Sequence, residues 1–146
     1  MGEEAQTTII DTYGLMAEAT GEIPKQARKM FDQIRRKKVD GVIHPIITYE
    51  FLLQYHRKRL PAFNSPEEAI AFLNTYFATE PLTNDLAGNA SEIRVRSSEI
   101  LKRMKRHLSA CDSLTIALAK TKGYQILSGD RDLTAVAEKE GIIVRW

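Results

Sequence analysis

Gln125-Ile126-Leu127-Ser128-Gly129-Asp130-Arg131-Asp132 sets a short apolar run against a turn that carries two carboxylates. The run has the length and composition of a buried strand, and glycine with aspartate closes it as turn residues do. The same association recurs along the chain. Asp11 closes Thr7-Thr8-Ile9-Ile10, Glu50 opens Phe51-Leu52-Leu53, and Asp112 leads the apolar segment from Ser113 to Ala119. Carboxylates at the ends of buried elements converge where strands run parallel, because such sheets gather their ligands at the carboxyl edge. Converging oxygen ligands suit a hard divalent cation.

Working outward, short β-type runs alternate with longer helical patterns, as βαβ units do. Strands are expected at Thr7 to Asp11, Val42 to His44, a short stretch near Pro81-Leu82, Tyr124 to Ser128 and Ile142 to Arg145. Pro24 to Lys37 reads as a helix with proline near its first turn and basic residues at its end. Thr48 is the expected cap of a helix reaching Arg59, which Pro61 prevents from continuing. Ser65-Pro66-Glu67-Glu68 has the capping hydroxyl, first-turn proline and glutamate of a capping box. It opens a helix bearing Ile70, Phe72, Leu73, Tyr76 and Phe77. Two more helices are expected from about Asp85 to His107 and from Asp112 to Thr121, the latter ended by Gly123. With no repeat or linker, residues 1–146 read as one α/β domain with a central parallel sheet of about four or five strands flanked by helices.

Composition narrows the class. Hydrophobic residues make up 43% and charged residues 27%, values ordinary for a soluble globular protein rather than a disordered one. The lone Cys111 excludes an internal disulfide, no apolar stretch approaches a membrane span, and Met1 to Ala5 has no export signal, so a reduced, cytoplasmic protein is expected. The formal net charge is +2, but 21 bases against the 14 acids other than Asp11, Glu50, Asp112, Asp130 and Asp132 leave a body of +7. A cation among those five would leave a surface suited to a polyanion.

Each acid also has a plainer reading. Asp11 and Asp112 are in cap positions, and Ser109-Ala110-Cys111-Asp112 matches a capping box. Glu50 shares a polar stripe with Gln54, Arg57 and Lys58, as a solvated helix face would. Gly129 to Asp132 fits a turn. These readings do not account for the shared topological logic: acids end the first and fourth strands, begin the helix close to the fourth, and occupy the first turn after the second.

These residues resemble the PIN-domain ribonucleases, and among them the small toxins of the VapC type. The resemblance rests on Ile9-Ile10-Asp11-Thr12, Ile47-Thr48-Tyr49-Glu50-Phe51-Leu52, Leu108-Ser109-Ala110-Cys111-Asp112-Ser113-Leu114 and Ile126-Leu127-Ser128-Gly129-Asp130-Arg131-Asp132-Leu133, in the family's order. It implies a PIN-like fold and an acidic site of Asp11, Glu50, Asp112 and Asp130 that holds Mg2+ or Mn2+. Asp132 would be an auxiliary ligand, and Ser128 stands where a Thr or Ser supports the site. Leu133 departs from the commoner Phe, and Ser65 to Asn89 matches nothing diagnostic. The implied activity is metal-dependent endonucleolytic cleavage of single-stranded RNA, by the toxin half of a pair with an antitoxin protein as partner. Alternatives are an RNA-maturation nuclease, a PIN module that binds RNA without cutting it, and a phosphorylatable receiver-like domain. The last fits poorly, since the final strand leads into Trp146 without the required lysine and two of the acids would be surplus.

The chemistry stands apart from the name. Phosphodiester hydrolysis needs an acidified water and a neutralised leaving oxygen, both of which a carboxylate-held divalent metal supplies. Crowded carboxylates repel, so the cluster is poorly stable without cation. His44, His56 and His107 are scattered, which excludes a zinc cluster, and no Gly-rich phosphate loop is present. His107 is expected to meet a helix dipole. Arg94, Arg96, Lys102, Arg103, Lys105 and Arg106 precede Asp112 as a candidate RNA footprint, although they do not share one helix face. Apolar side chains between Tyr49 and Tyr55 and on the helix of Ile70 to Phe77 exceed what two helix inner faces readily bury. A homodimer is expected there, against the alternative of a satellite core.

Overall fold

The computed structural model describes residues 6–102 and 106–146. The opening stretch Met1 to Ala5 and the cations Arg103 and Lys105 lie outside the described residues. Five strands, β1 (Thr8–Ile10), β2 (Gly41–Ile43), β3 (Ala78–Thr79), β4 (Gln125–Leu127) and β5 (Val144–Arg145), form one sheet in the order β3-β2-β1-β4-β5. Every neighbouring pair is parallel. β1, β2 and β4 are buried at each residue, which is why they read as unbroken apolar runs rather than alternating ones.

The edge strand β3 lies ahead of the expected Pro81-Leu82. Val42 pairs with Ala78, Ile43 with Thr79, and the Glu80 N–H donates to the Ile43 carbonyl at 2.8 Å. Proline has no N–H to extend that ladder, so pairing stops before Pro81.

Among the described residues seven helices flank the sheet: α1 (Thr12–Thr20), α2 (Lys25–Arg35), α3 (Pro45–His56), α4 (Pro66–Tyr76), α5 (Asn84–Lys102), α6 (Ala110–Lys122) and α7 (Arg131–Lys139). Their starts follow local capping chemistry. Ser65 Oγ accepts from the Glu68 N–H, Ser109 Oγ from the Asp112 N–H, and Asp130 Oδ1 from the Leu133 N–H. α3 begins at Pro45 rather than at a Thr48 cap. Proline takes the first helical position, and the Thr48 N–H already donates back to the His44 carbonyl. α5 is described as far as Lys102, and His107, expected at a helix end, lies outside any helix. α6 starts two residues before Asp112 and closes at Gly123, whose φ of 73° favours glycine.

α3 packs with α1 and α4, while α5 lies along α6 and touches α7. Between α2, α3 and α4 the rings of Phe31, Phe51, Phe63, Phe72, Tyr76 and Phe77 form an aromatic cluster with Phe72 at its centre. Such pairs add about 0.5–1.5 kcal/mol each beyond simple burial. The cluster absorbs most of the apolar excess noted in the sequence; Tyr49 (63%) and Ile70 (38%) remain exposed.

Candidate metal and nucleic-acid site

In this strand order the chain's progress reverses between β1 and β4, and the carboxyl ends of those strands border a crevice. Asp11 follows β1 and caps α1, its Oδ1 accepting from the Gly14 N–H at 2.8 Å. Asp130 follows β4 and caps α7, Asp112 lies in the first turn of α6, and Glu50 projects from the second turn of α3. Glu50 was expected in the first turn, and the earlier helix start accounts for the shift. All four residues line one cavity of about 560 Å³, within the size range of small-ligand sites. Asp11 is thus a helix cap and a wall residue at once, whereas α6 is capped by Ser109 and not by Asp112, which lies in its first turn.

Asp132 stands apart. It is not in the cavity wall, and its Oδ1 accepts from Arg106 Nη1 at 3.1 Å. Nor does it cap α7, a task that Asp130 performs. Ser128 joins the two strand ends: its Oγ donates to Asp11 Oδ2 at 2.6 Å and accepts from the Asp130 N–H at 3.0 Å. Thr12 Oγ1 donates to Glu50 Oε1 at 3.0 Å and so ties α1 to α3. Gly14 allows a close approach, because a Cβ there would meet the Leu127 carbonyl at 3.1 Å and Ile10 at 3.2 Å, tighter than ordinary contact.

Among the described residues no ion pair reaches Asp11, Glu50, Asp112 or Asp130. Asp11 is 2% exposed, and burial pushes its pKa up to about 7; bonds from Ser128 and Gly14 oppose the rise, and Asp112 and Asp130 add to it. Asp112 is also raised to about 7, by burial first and then by Asp130. Burial, with the Glu50 carboxylate alongside, pushes the Cys111 thiol up, so it is no nucleophile. His44 is fully buried against Thr115, with Nε2 and Oγ1 2.9 Å apart, and burial lowers its pKa to about 4.

Among the described residues no three Asp, Glu, His or Cys side chains close round a point as a finished metal cage. Asp11, Glu50 and Asp130 each accept a hydrogen bond from a nearby donor. The donor set still fits a small hard cation, since Mg2+ keeps several waters and takes only one or two carboxylates. Of the basic run before Asp112, the described members Arg94, Arg96, Lys102 and Arg106 are not in the wall. Arg96 pairs with Glu140 and Arg106 with Asp132, while Arg59 is the cation lining the cavity among the described residues. Sequence reasoning missed Thr12, Tyr13, Arg59 and Trp146 as wall residues. The first two had a signal in their place directly after Asp11, whereas Trp146 arrives only because β5 lies beside β4.

An all-parallel α/β fold with a carboxylate-lined crevice at its switch point defines the class. The PIN domain family model matches residues 9–139, a span that includes Asp11, Glu50, Asp112 and Asp130. The chain belongs to the PIN domain family, a family of nucleases, and the resemblance read from its motifs and the PIN-like fold are both borne out. A comparison with curated proteins by sequence finds no match. Among solved structures, the chain is similar to VapC20 of Mycobacterium tuberculosis, described as a Sarcin-Ricin loop cleaving toxin. That likeness has 23% identity and a TM-score of 0.65, covering 88% of this chain and 94% of that one. It is similar as well to DNA-bound VapBC of Salmonella typhimurium, at 17% identity and a TM-score of 0.65 over 96% and 97% of the two chains. PAE2754 of Pyrobaculum aerophilum aligns at 16% identity and a TM-score of 0.63 over 97% and 87%. These likenesses establish the fold. Among the described residues no helix is long and apolar enough to cross a membrane.

Proposed function

We propose that the protein is a magnesium- or manganese-dependent endoribonuclease cleaving single-stranded RNA, and the cytoplasmic toxin of a VapBC-type toxin–antitoxin pair. The observation that carries this reading is the meeting of Asp11, Glu50, Asp112 and Asp130, from four separate elements, round one cavity without a paired base among the described residues. One or two of these four carboxylates would hold the cation directly and the others through its waters, while Asp132 would act through its neighbours. A bound Mg2+ or Mn2+ would make an attacking water more acidic and offset charge on the phosphate and leaving oxygen. Ser128 fixes the Asp11 carboxylate and Thr12 restrains Glu50, so both oxygens are oriented in advance. Arg59 offers a phosphate contact in the same wall. A crevice of this kind suits a flexible strand with accessible phosphates better than a rigid duplex.

Water attack at phosphorus with departure of the 3′ oxygen leaves 5′-phosphate and 3′-hydroxyl ends. Cleavage of a labelled single-stranded RNA with added Mg2+ or Mn2+, and end analysis of the products, tests the reading. Full activity in excess chelator, or a 2′,3′-cyclic phosphate, would overturn the mechanism. Binding without cleavage would favour the non-catalytic RNA module.

The toxin part draws support from solved relatives described as VapBC of Salmonella typhimurium and VapBC2 of Rickettsia felis. A short neighbouring reading frame whose product binds this protein and silences cleavage is the expected antitoxin; its absence favours an RNA-maturation nuclease. A homodimer through α3 and α4 is part of the proposal, supported by exposed Tyr49 and Ile70. Sedimentation showing only monomer at micromolar concentration would remove the dimer and leave the nuclease reading intact.

A further inference from the structure

We propose that Tyr13 and Trp146 form a stacking platform for a nucleobase at the rim of the acidic cavity, so that the substrate is gripped by a base as well as by its phosphates. The inference rests on the reading that a nucleic acid occupies this cavity, and it names the part of the substrate that the carboxylates do not address.

Both rings line the cavity that Asp11, Asp112 and Asp130 share. They meet edge to face, with centroids 5.4 Å apart and planes at 76°, an arrangement in which one ring keeps both faces clear of the other. Tyr13 stands in the first turn of α1, two residues after Asp11, and is 48% exposed. Trp146 is carried in by β5 and packs partly on the core. Core packing accounts for the position of Trp146, but not for an aromatic ring held half open at the cavity wall.

Gly129 ties this pair to the acidic turn. A Cβ there would come within 2.5 Å of the Trp146 ring and 2.6 Å of the Tyr13 ring. Its φ lies outside the left-handed region, so close approach rather than backbone conformation calls for glycine. Both rings therefore sit against the segment between Ser128 and Asp130, beside the acidic turn. Every base has a π face, so such a platform holds single strands with little sequence preference.

Trp146 is the only tryptophan in the chain, so its emission reports on this place alone. The test titrates the Asp11→Asn protein, chosen to prevent cleavage, with a single-stranded oligoadenylate of about six nucleotides and with an abasic ribose-phosphate oligomer of equal length. The oligoadenylate should quench Trp146 emission and the abasic oligomer should not. Tyr13→Ala should raise the Kd for oligoadenylate by about fivefold to tenfold, the effect of one lost stack. Tyr13→Leu, which keeps apolar volume, should do the same, and Tyr13→Phe should restore binding. In the active protein Tyr13→Ala should raise KM with kcat nearly unchanged. Equal responses to the two oligomers, or an unchanged Kd for a folded Tyr13→Ala, would overturn the platform. Cleavage by the unaltered protein with no quenching in the Asp11→Asn titration would overturn the platform and spare the nuclease reading. Quenching without any cleavage by the unaltered protein would support the platform and overturn the nuclease.

Discussion

Glu140 and Asp11 are both withdrawn from solvent, and their surroundings treat them in opposite ways. Glu140, with a side chain 12% exposed, accepts from Arg96 at 3.1 Å and from Lys120. Bonding to Arg96 holds its carboxyl below the usual range, and Lys120 adds to the effect. Among the described residues Asp11 accepts hydrogen bonds from Ser128 and the Gly14 N–H and has other acids nearby, and burial holds it at about 7. Among the described residues cations pair with one carboxylate and not with the other. The first is thus a structural tie between α5, α6 and the end of α7, and the second is where the proposed cation would bind.

The widest separation should come from activity. Asp11→Asn or Asp112→Asn should lower RNA cleavage about a hundredfold or more with the fold retained by circular dichroism, because each keeps shape and deletes ligand charge. Glu140→Gln should cleave like the unaltered protein. An equal loss in Glu140→Gln would erase the distinction between the two regions.

Acidity sharpens the comparison next. Asp11 and Asp112 ionise near 3.8 when unfolded and near 7 when folded. The metal-free native state therefore keeps protons that the unfolded chain has lost, and its stability falls as pH rises from 3.8 through 7. Magnesium should accordingly raise Tm more at pH 8 than at pH 5. His44 acts in the other sense: neutral down to about 4 when folded but protonated below 6.5 when unfolded, it contributes fully above 6.5. That contribution is lost as pH falls from 6.5 to 4. Thermal melts of the Asp11→Asn, Asp112→Asn double variant should therefore show acid destabilisation over that window that the unaltered protein largely offsets. A double variant indifferent to pH there would contradict the assignment.

The smallest effect is on the tie itself. Arg96 and Lys120 are each half exposed, so Glu140→Gln should cost only about 1 kcal/mol of stability by denaturant unfolding. A loss several times larger would mean that Glu140 holds more of the fold together than its ion pairs explain.

What could be read from the residues follows from how local the signals are. The central strands and the start of α4 were legible, because buried parallel strands are unbroken apolar runs and a cap is a single hydroxyl at fixed spacing. α1 was not expected as a helix: Gly14 breaks its pattern, and its glycine serves contact with the end of β4 rather than helix propensity. The two-residue β3 lacks any apolar run, since both its residues are exposed. Four acids of the site were legible because each ends or begins an apolar element. Asp132 reads like the others but is held by Arg106, a residue 26 positions away, and no local pattern announces that pairing. The seat of Trp146 beside Tyr13 likewise depends on β4 lying next to β5.

Calorimetric titration with Mn2+ tests the central claim most directly, applied to the unaltered protein, Asp112→Asn and Glu140→Gln under one set of conditions. The account predicts binding to the unaltered protein, an affinity at least about tenfold weaker for Asp112→Asn, and no change for Glu140→Gln. Equal Mn2+ affinity in the unaltered and Asp112→Asn proteins, or no binding to either, would contradict it.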